Sequence, residues 1–119
     1  MENTFRVIVA GGRDFFDYNL LCKKLDIILS TQEKVIIVSG NARGADSLGE
    51  RYAKEHGILI SYFPASWAQY GSKAGFIRNE EMAKYADACI CFWNGESSGT
   101  ADMIRLAKEY NLKLRVINY

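Results

Sequence analysis

Four short segments of this 119-residue chain gather glycine, arginine and hydroxyl residues of the kind that hold anions. They are Gly11-Gly12-Arg13-Asp14-Phe15, Ser39-Gly40-Asn41-Ala42-Arg43-Gly44-Ala45-Asp46, Ala74-Gly75-Phe76-Ile77-Arg78-Asn79 and Ser97-Ser98-Gly99-Thr100. Glycine lets the backbone come close to a ligand, and an arginine fork makes bidentate, charge-assisted bonds to phosphate or carboxylate. A helix start adds unpaired N–H groups and a partial positive charge. The candidate ligand-binding set is therefore Gly11, Gly12, Arg13, Asp14, Ser39, Gly40, Arg43, Gly44, Asp46, Arg78, Asn79, Ser98, Gly99 and Thr100. Asp14 and Asp46 are the candidate carboxylates for acid or base work, with Glu80 a weaker one.

Each segment also fits a plainer role. Gly11-Gly12 fits a tight strand-to-helix turn. Ser47-x-x-Glu50 matches a capping box, in which Asp46 and Ser47 would only start a helix. Ser98 or Thr100 fits a helix N-cap, with Gly99 a packing glycine. Arg78 and Asn79 fit a solvated helix face. The weight lies in the coincidence of all four segments rather than in any one.

The elements that must position them alternate between short β-branched runs and longer helical ones. Phe5–Ala10, Val35–Val38, Ile58–Phe63, Ala88–Trp93 and Leu114–Ile117 read as strands. Tyr18–Ser30, Ala45–His56, a run ending near Ala86, and Gly99–Tyr110 read as helices, and Ala65–Gly75 as a loop rich in aromatic and small residues. Each helix has the length of a crossover, so the strands form a parallel sheet with helices on both faces. The predicted fold is α/β, a single-domain Rossmann-like three-layer sandwich over residues 1–119. All four segments then fall at the carboxyl edge of the sheet, where open α/β folds bind ligands.

Several chemistries are excluded by what the sequence lacks. It contains no G-x-x-x-x-G-K-[ST], no G-x-G-x-x-G after the first strand and no G-x-S-x-G. The one histidine, His56, falls at a helix end and reads as a last-turn cap. Cys22, Cys89 and Cys91 read as buried, reduced core thiols, and neither a metal site nor a cofactor is implied. With 15 basic and 14 acidic residues, the charge balance argues against nucleic acid or an anionic membrane as partner. No basic leader and no long apolar span appear, which predicts a cytoplasmic protein.

The same segments carry a family resemblance. V-I-V-A-G-G-R-D-F (Val7–Phe15), V-S-G-N-A-R-G-A-D (Val38–Asp46), F-P-A-S-W (Phe63–Trp67), A-G-F-I-R-N-E-E-M (Ala74–Met82) and S-G-T-A-D-M (Ser98–Met103) resemble the YspA-like, YpsA-related branch of the SLOG superfamily, in order and over almost the whole chain. Two departures stand out: Asn41 replaces a glycine common in the second motif, and Asn94-Gly95-Glu96-Ser97-Ser98 replaces a Pro-Gly-Gly start. The resemblance implies a Rossmann-like domain that binds nucleotides or nucleotide-derived ligands. Relatives include enzymes that cleave ribose phosphate from cytokinin nucleotides, the DNA-processing DprA proteins and ligand-sensing domains of antiviral systems. In the cytokinin-activating enzymes a Gly-Gly-x-Gly-Thr-x-x-Glu motif supplies a catalytic glutamate. Met103 stands at that position here, in an apolar stripe with Leu106, Ala107 and Tyr110.

The expected function is therefore binding of a small-molecule nucleotide or nucleotide derivative, as a sensor or sequestering module. The alternative is a nucleoside-monophosphate phosphoribohydrolase or N-glycosidase. Trp67, Tyr70 and Trp93 are aromatics available to stack a base, and each also fits the core. Phe15-Phe16 reads as an exposed pair that serves an interface or closes over the ligand. Homo-oligomerisation is left open, as dimers are common among relatives.

Overall fold

The computed structural model describes residues 4–119. Five strands, β1 (Phe5–Gly11), β2 (Val35–Ser39), β3 (Leu59–Tyr62), β4 (Ala88–Trp93) and β5 (Lys113–Asn118), form one sheet in the order β3-β2-β1-β4-β5. Every neighbouring pair is parallel. The crossovers are α1 (Tyr18–Leu29), α2 (Ala45–Glu55) and α5 (Ser98–Glu109), while β3 and β4 are joined through α3 (Trp67–Tyr70), a 3₁₀ turn (Gly71–Lys73) and α4 (Ala74–Tyr85). The fold is Rossmann-like, as the alternation of elements predicts.

Alternation along the strands divides the core in two. Val7 and Val9 of β1 face a cluster with Leu21 and Leu25 of α1 and Tyr52 and Ala53 of α2. Ile8 and Ala10 face the opposite cluster, with Met82 and Ala83 of α4 and Met103, Leu106 and Ala107 of α5. Central strands covered on both faces need apolar residues on both, which is why Val7–Ala10 of β1, Val35–Val38 of β2 and all of β4 read as continuous runs. Leu21 and Leu25 stand one helical turn apart and are fully buried, each contributing roughly 1.5–3 kcal/mol. No helix among the described residues is long and apolar enough to cross a membrane.

The strands and most helices match expectation to within a residue or two, and the exceptions have local causes. The segment expected to be a loop holds α3, whose first turn is closed by the Ser66 carbonyl accepting from the Gln69 and Tyr70 amides. The Ser47–Glu50 capping box does not form. Gly44 precedes α2, the Ser47 hydroxyl donates to the Ala42 carbonyl, and Glu50 accepts from Ser39. The N-cap of α5 is Ser97, not Ser98 or Thr100. Phe15 is not exposed: it is 1% accessible, stacked on Phe92 with centroids 4.4 Å apart, while Phe16 is 71% accessible. The turn closed by the Phe15 amide on the Gly12 carbonyl folds that ring back over the sheet edge. Cys89 and Cys91 are buried on one face with sulfurs 3.4 Å apart, and Cys22 is half-buried; all three are free thiols.

Candidate functional site

The sheet order reverses between β1 and β4. From β1 the chain proceeds to β2 and β3 on one side, and from β4 to β5 on the other. The loops leaving these two strands diverge and open a crevice at the carboxyl edge, as at other topological switch points. A cleft of about 460 Å³ lies there.

The loop after β1 forms one wall. Its Gly12 amide donates to the Phe92 carbonyl (3.0 Å), and its Gly12 carbonyl accepts from both Phe15 and Ala45 (3.2 Å each). The last bond ties the start of α2 to this loop. Gly44 makes the approach possible: its φ is +76°, and a Cβ there would overlap the Gly12 carbonyl oxygen. The Asp14 carboxylate accepts from the Tyr119 hydroxyl.

The first turn of α5 forms the facing wall. Ser97 caps the helix by accepting from the Thr100 amide and hydroxyl, and helix geometry leaves the Ser98 and Gly99 amides without intrahelical acceptors. The departure from a Pro-Gly-Gly start has a physical equivalent here. The Asn94 side-chain oxygen accepts from the Glu96 and Ser97 amides (2.9 Å each), closing the turn through a side chain. Asn41, the other departure, sits at φ +60°, a left-handed conformation that asparagine tolerates better than most residues.

Between the walls lie two opposite charges, Asp46 and Arg78. Asp46, in the first turn of α2, is 5% accessible. Burial pushes its carboxyl up to about 6, against the opposing pull of the Arg78 guanidinium and the Ala42 amide. Burial likewise lowers Arg78 from the usual arginine range, with Asp46 opposing and Arg13 reinforcing that shift. Arg78 is held in place, since Nη1 donates to the Gly40 carbonyl and Nε to the Asn79 side chain. The Asn79 amide in turn reaches the Gly99 carbonyl (3.3 Å) and Asp102 (3.1 Å), joining α4 to α5.

Ten of the fourteen sequence candidates line this cleft: Gly11, Gly12, Arg13, Asp14, Asp46, Arg78, Asn79, Ser98, Gly99 and Thr100. Four do not. Ser39 is buried and bonded to Glu50 (2.6 Å), and Gly44 packs behind the Gly12 loop. Gly40 and Arg43 line an adjoining hollow of about 360 Å³. Glu80 is exposed and accepts from Tyr110 instead of reaching the cleft. Gly99 is no packing glycine, as nothing lies within 4 Å of where its Cβ would be. Trp67 and Tyr70 are exposed rather than core, and Trp67 lines the cleft; Trp93 packs half-buried, its indole donating to Ser97. His56 closes α2, stacked on Tyr52 with a ring nitrogen 2.8 Å from the Tyr52 carbonyl. Met103 is buried and also reaches the cleft floor.

Phe76, Met82 and Asn94 also line the cleft, though none of them is among the fourteen sequence candidates. Phe76 and Met82 look like ordinary apolar helix positions, and only the packing of α4 beside α5 brings them to the site. Asn94 had a signal, an asparagine directly after a strand and before a glycine.

The chain resembles known proteins in three comparisons. Residues 5–70 match the YspA, cpYpsA-related SLOG family. A relative, the Gene 61 protein of Mycobacterium phage D29, is 33% identical over 121 residues, covering 96% of this chain and 95% of its own. Among solved structures, DNA processing protein A from Helicobacter pylori, studied for its single-stranded DNA binding, superposes with a TM-score of 0.67 at 20% identity. That likeness covers 94% of this chain and 64% of the other, and it is a likeness of fold.

Proposed function

The chain belongs to the YspA, cpYpsA-related SLOG family, and from that premise we propose that it binds a nucleotide or nucleotide-derived ligand at the β1/β4 switch point, as a sensor or sequestering module. One observation carries this reading. A single cleft joins anion-holding groups (Arg13, Arg78 and the first turn of α5) to an apolar wall of Trp67, Phe76, Met82 and Met103. That combination suits a molecule with a phosphate at one end and a flat, weakly polar base at the other. Its volume of about 460 Å³ falls within the roughly 300–1,000 Å³ of small-ligand sites.

The reading is tested by calorimetry with nucleoside 5′-monophosphates. Arg13 is exposed, so Arg13→Ala keeps the fold, and it should weaken binding at least tenfold, in line with about 1.5–3 kcal/mol for a charged hydrogen bond. Absence of binding to these and to the corresponding 5′-diphosphates, or unchanged affinity in both Arg13→Ala and Arg78→Ala, overturns the reading.

A second reading, N-glycosidic hydrolysis of a nucleoside monophosphate, draws on Asp46 alone. A buried carboxyl with a pKa of about 6 beside an arginine has the proton affinity of a general acid or base working near neutrality. Asp14, the other candidate, is exposed and occupied by Tyr119. Against this reading stands Met103, where the hydrolytic relatives carry their glutamate. Incubating concentrated protein with AMP and separating the products decides the matter: free base supports hydrolysis, and its absence leaves binding alone. Single-stranded DNA, the ligand of the Helicobacter pylori protein, is disfavoured by the near-even charge of this chain. Single-strand binding that weakens steeply with salt would reverse that judgement.

A further inference from the structure

We propose that the hollow beside the cleft is a second phosphate subsite, so that the ligand is a nucleotide carrying two adjacent phosphate groups, such as a nucleoside 5′-diphosphate or a diphosphate-linked derivative. This rests on the nucleotide reading of the cleft and extends it.

The hollow, of about 360 Å³, is bounded by Arg13, Arg43 and Arg78 over Gly40, Pro64 and Trp67. No acidic side chain lines it, whereas the cleft sets Asp14 and Asp46 against its two arginines. The positive charge of the hollow is also uncompensated at its rim. Arg13 and Arg43 are exposed, and neither stands in an ion pair among the described residues. Arg13 lies close enough to Arg78 for their like charges to oppose each other. An anion between these guanidiniums removes that repulsion and gains charge-assisted bonds.

The floor is shaped for a fixed arginine. A Cβ at Gly40 would lie 2.9 Å from the Arg78 guanidinium carbon and 2.8 Å from an Asp46 carboxylate oxygen, so the bare backbone lets Arg78 lie flat on this loop. Arg13, Arg78 and Trp67 border both the cleft and the hollow. A group bound on one side therefore shares its arginines with a group bound on the other. One phosphate reaches one side only. Two phosphates joined by a bridging oxygen reach from one into the other and share Arg13 and Arg78 between them.

The experiment compares the four nucleoside 5′-monophosphates with the corresponding 5′-diphosphates by calorimetry, on wild type, Arg43→Ala and Arg115→Ala. Arg43 borders the hollow and not the cleft, while Arg115 is an exposed arginine of β5 that controls for loss of one charge. The expected result is a diphosphate preference of at least tenfold in wild type and Arg115→Ala, reduced at least tenfold by Arg43→Ala. Equal affinity for the two series, or a preference untouched by Arg43→Ala, sinks the second subsite while leaving the nucleotide reading intact. If neither series binds wild type, both proposals fall.

Discussion

Burial of Asp46 separates two carboxylates that look alike in the sequence. Asp14 is exposed and pairs with a tyrosine, whereas Asp46 is enclosed between α2, Gly40 and Arg78. Burial raises its carboxyl from 3.8 to about 6, so the folded state favours the protonated form. The stability this contributes is fully present below pH 4 and is lost as the pH rises through 6. A shift of roughly two units corresponds to about 3 kcal/mol. Asp46→Asn should therefore be more stable than wild type at pH 7 by up to about 3 kcal/mol, with the difference vanishing near pH 4. Urea denaturation at the two pH values measures this, and a variant weaker than wild type at both would mean that the Arg78 attraction outweighs desolvation. That Asp46 and Arg78 belong to one site was legible from their segments. Their approach to each other was not, because it depends on Arg78 of α4 reaching the Gly40 carbonyl from 38 residues away.

At the scale of elements, what was legible follows from periodicity, and what was missed follows from contacts made across elements. β4 was read to its exact ends, Ala88–Trp93, because a strand buried on both faces admits no polar interruption. Helix α3 carries no such stripe, and it is held by the Ser66 carbonyl and not by an apolar face. The apparent capping box failed because Ser39 captures Glu50 from a neighbouring strand. In place of a side-chain cap, α2 begins at Gly44, pressed against the Gly12 loop. This yields a paired prediction. Gly57 also has positive φ (+65°), but nothing lies within 4 Å of its Cβ position. Gly57→Ala should cost about 1–2 kcal/mol, for backbone conformation alone. Gly44→Ala, at φ +76° and ψ −126° outside the left-handed helical region, adds further backbone strain and overpacking against Gly12, and should cost about 1–3 kcal/mol more. Equal losses in chemical denaturation would show that the α2 start yields freely and is not locked to the loop after β1.

At the scale of the whole molecule, the switch point divides the chain's contributions to the cleft. The loop after β1 and the start of α2 come from one side of the order reversal, and the turn before α5 comes from the other. The seam between them is well held beneath the cleft, by β1–β4 pairing from Val7 to Gly11, by the Gly12–Phe92 bond and by the Phe15–Phe92 stack. Above it, Asn79 ties α4 to the first turns of α5, and the Tyr119 hydroxyl reaches Asp14 in the loop after β1. A ligand that fills the cleft must touch both walls, so it links segments that the empty fold connects mainly through the sheet. At a nucleotide concentration 100 times Kd, binding should raise stability by about 2.7 kcal/mol, a rise in Tm on the order of 10 °C for a chain of this size. Amide hydrogen exchange shows where that stabilisation is felt. Gly11–Asp14 and Ser97–Thr100 should gain protection together and at the same ligand concentration. Protection confined to one segment would mean that the molecule bound on one wall only, and the switch-point cleft would then not be the site.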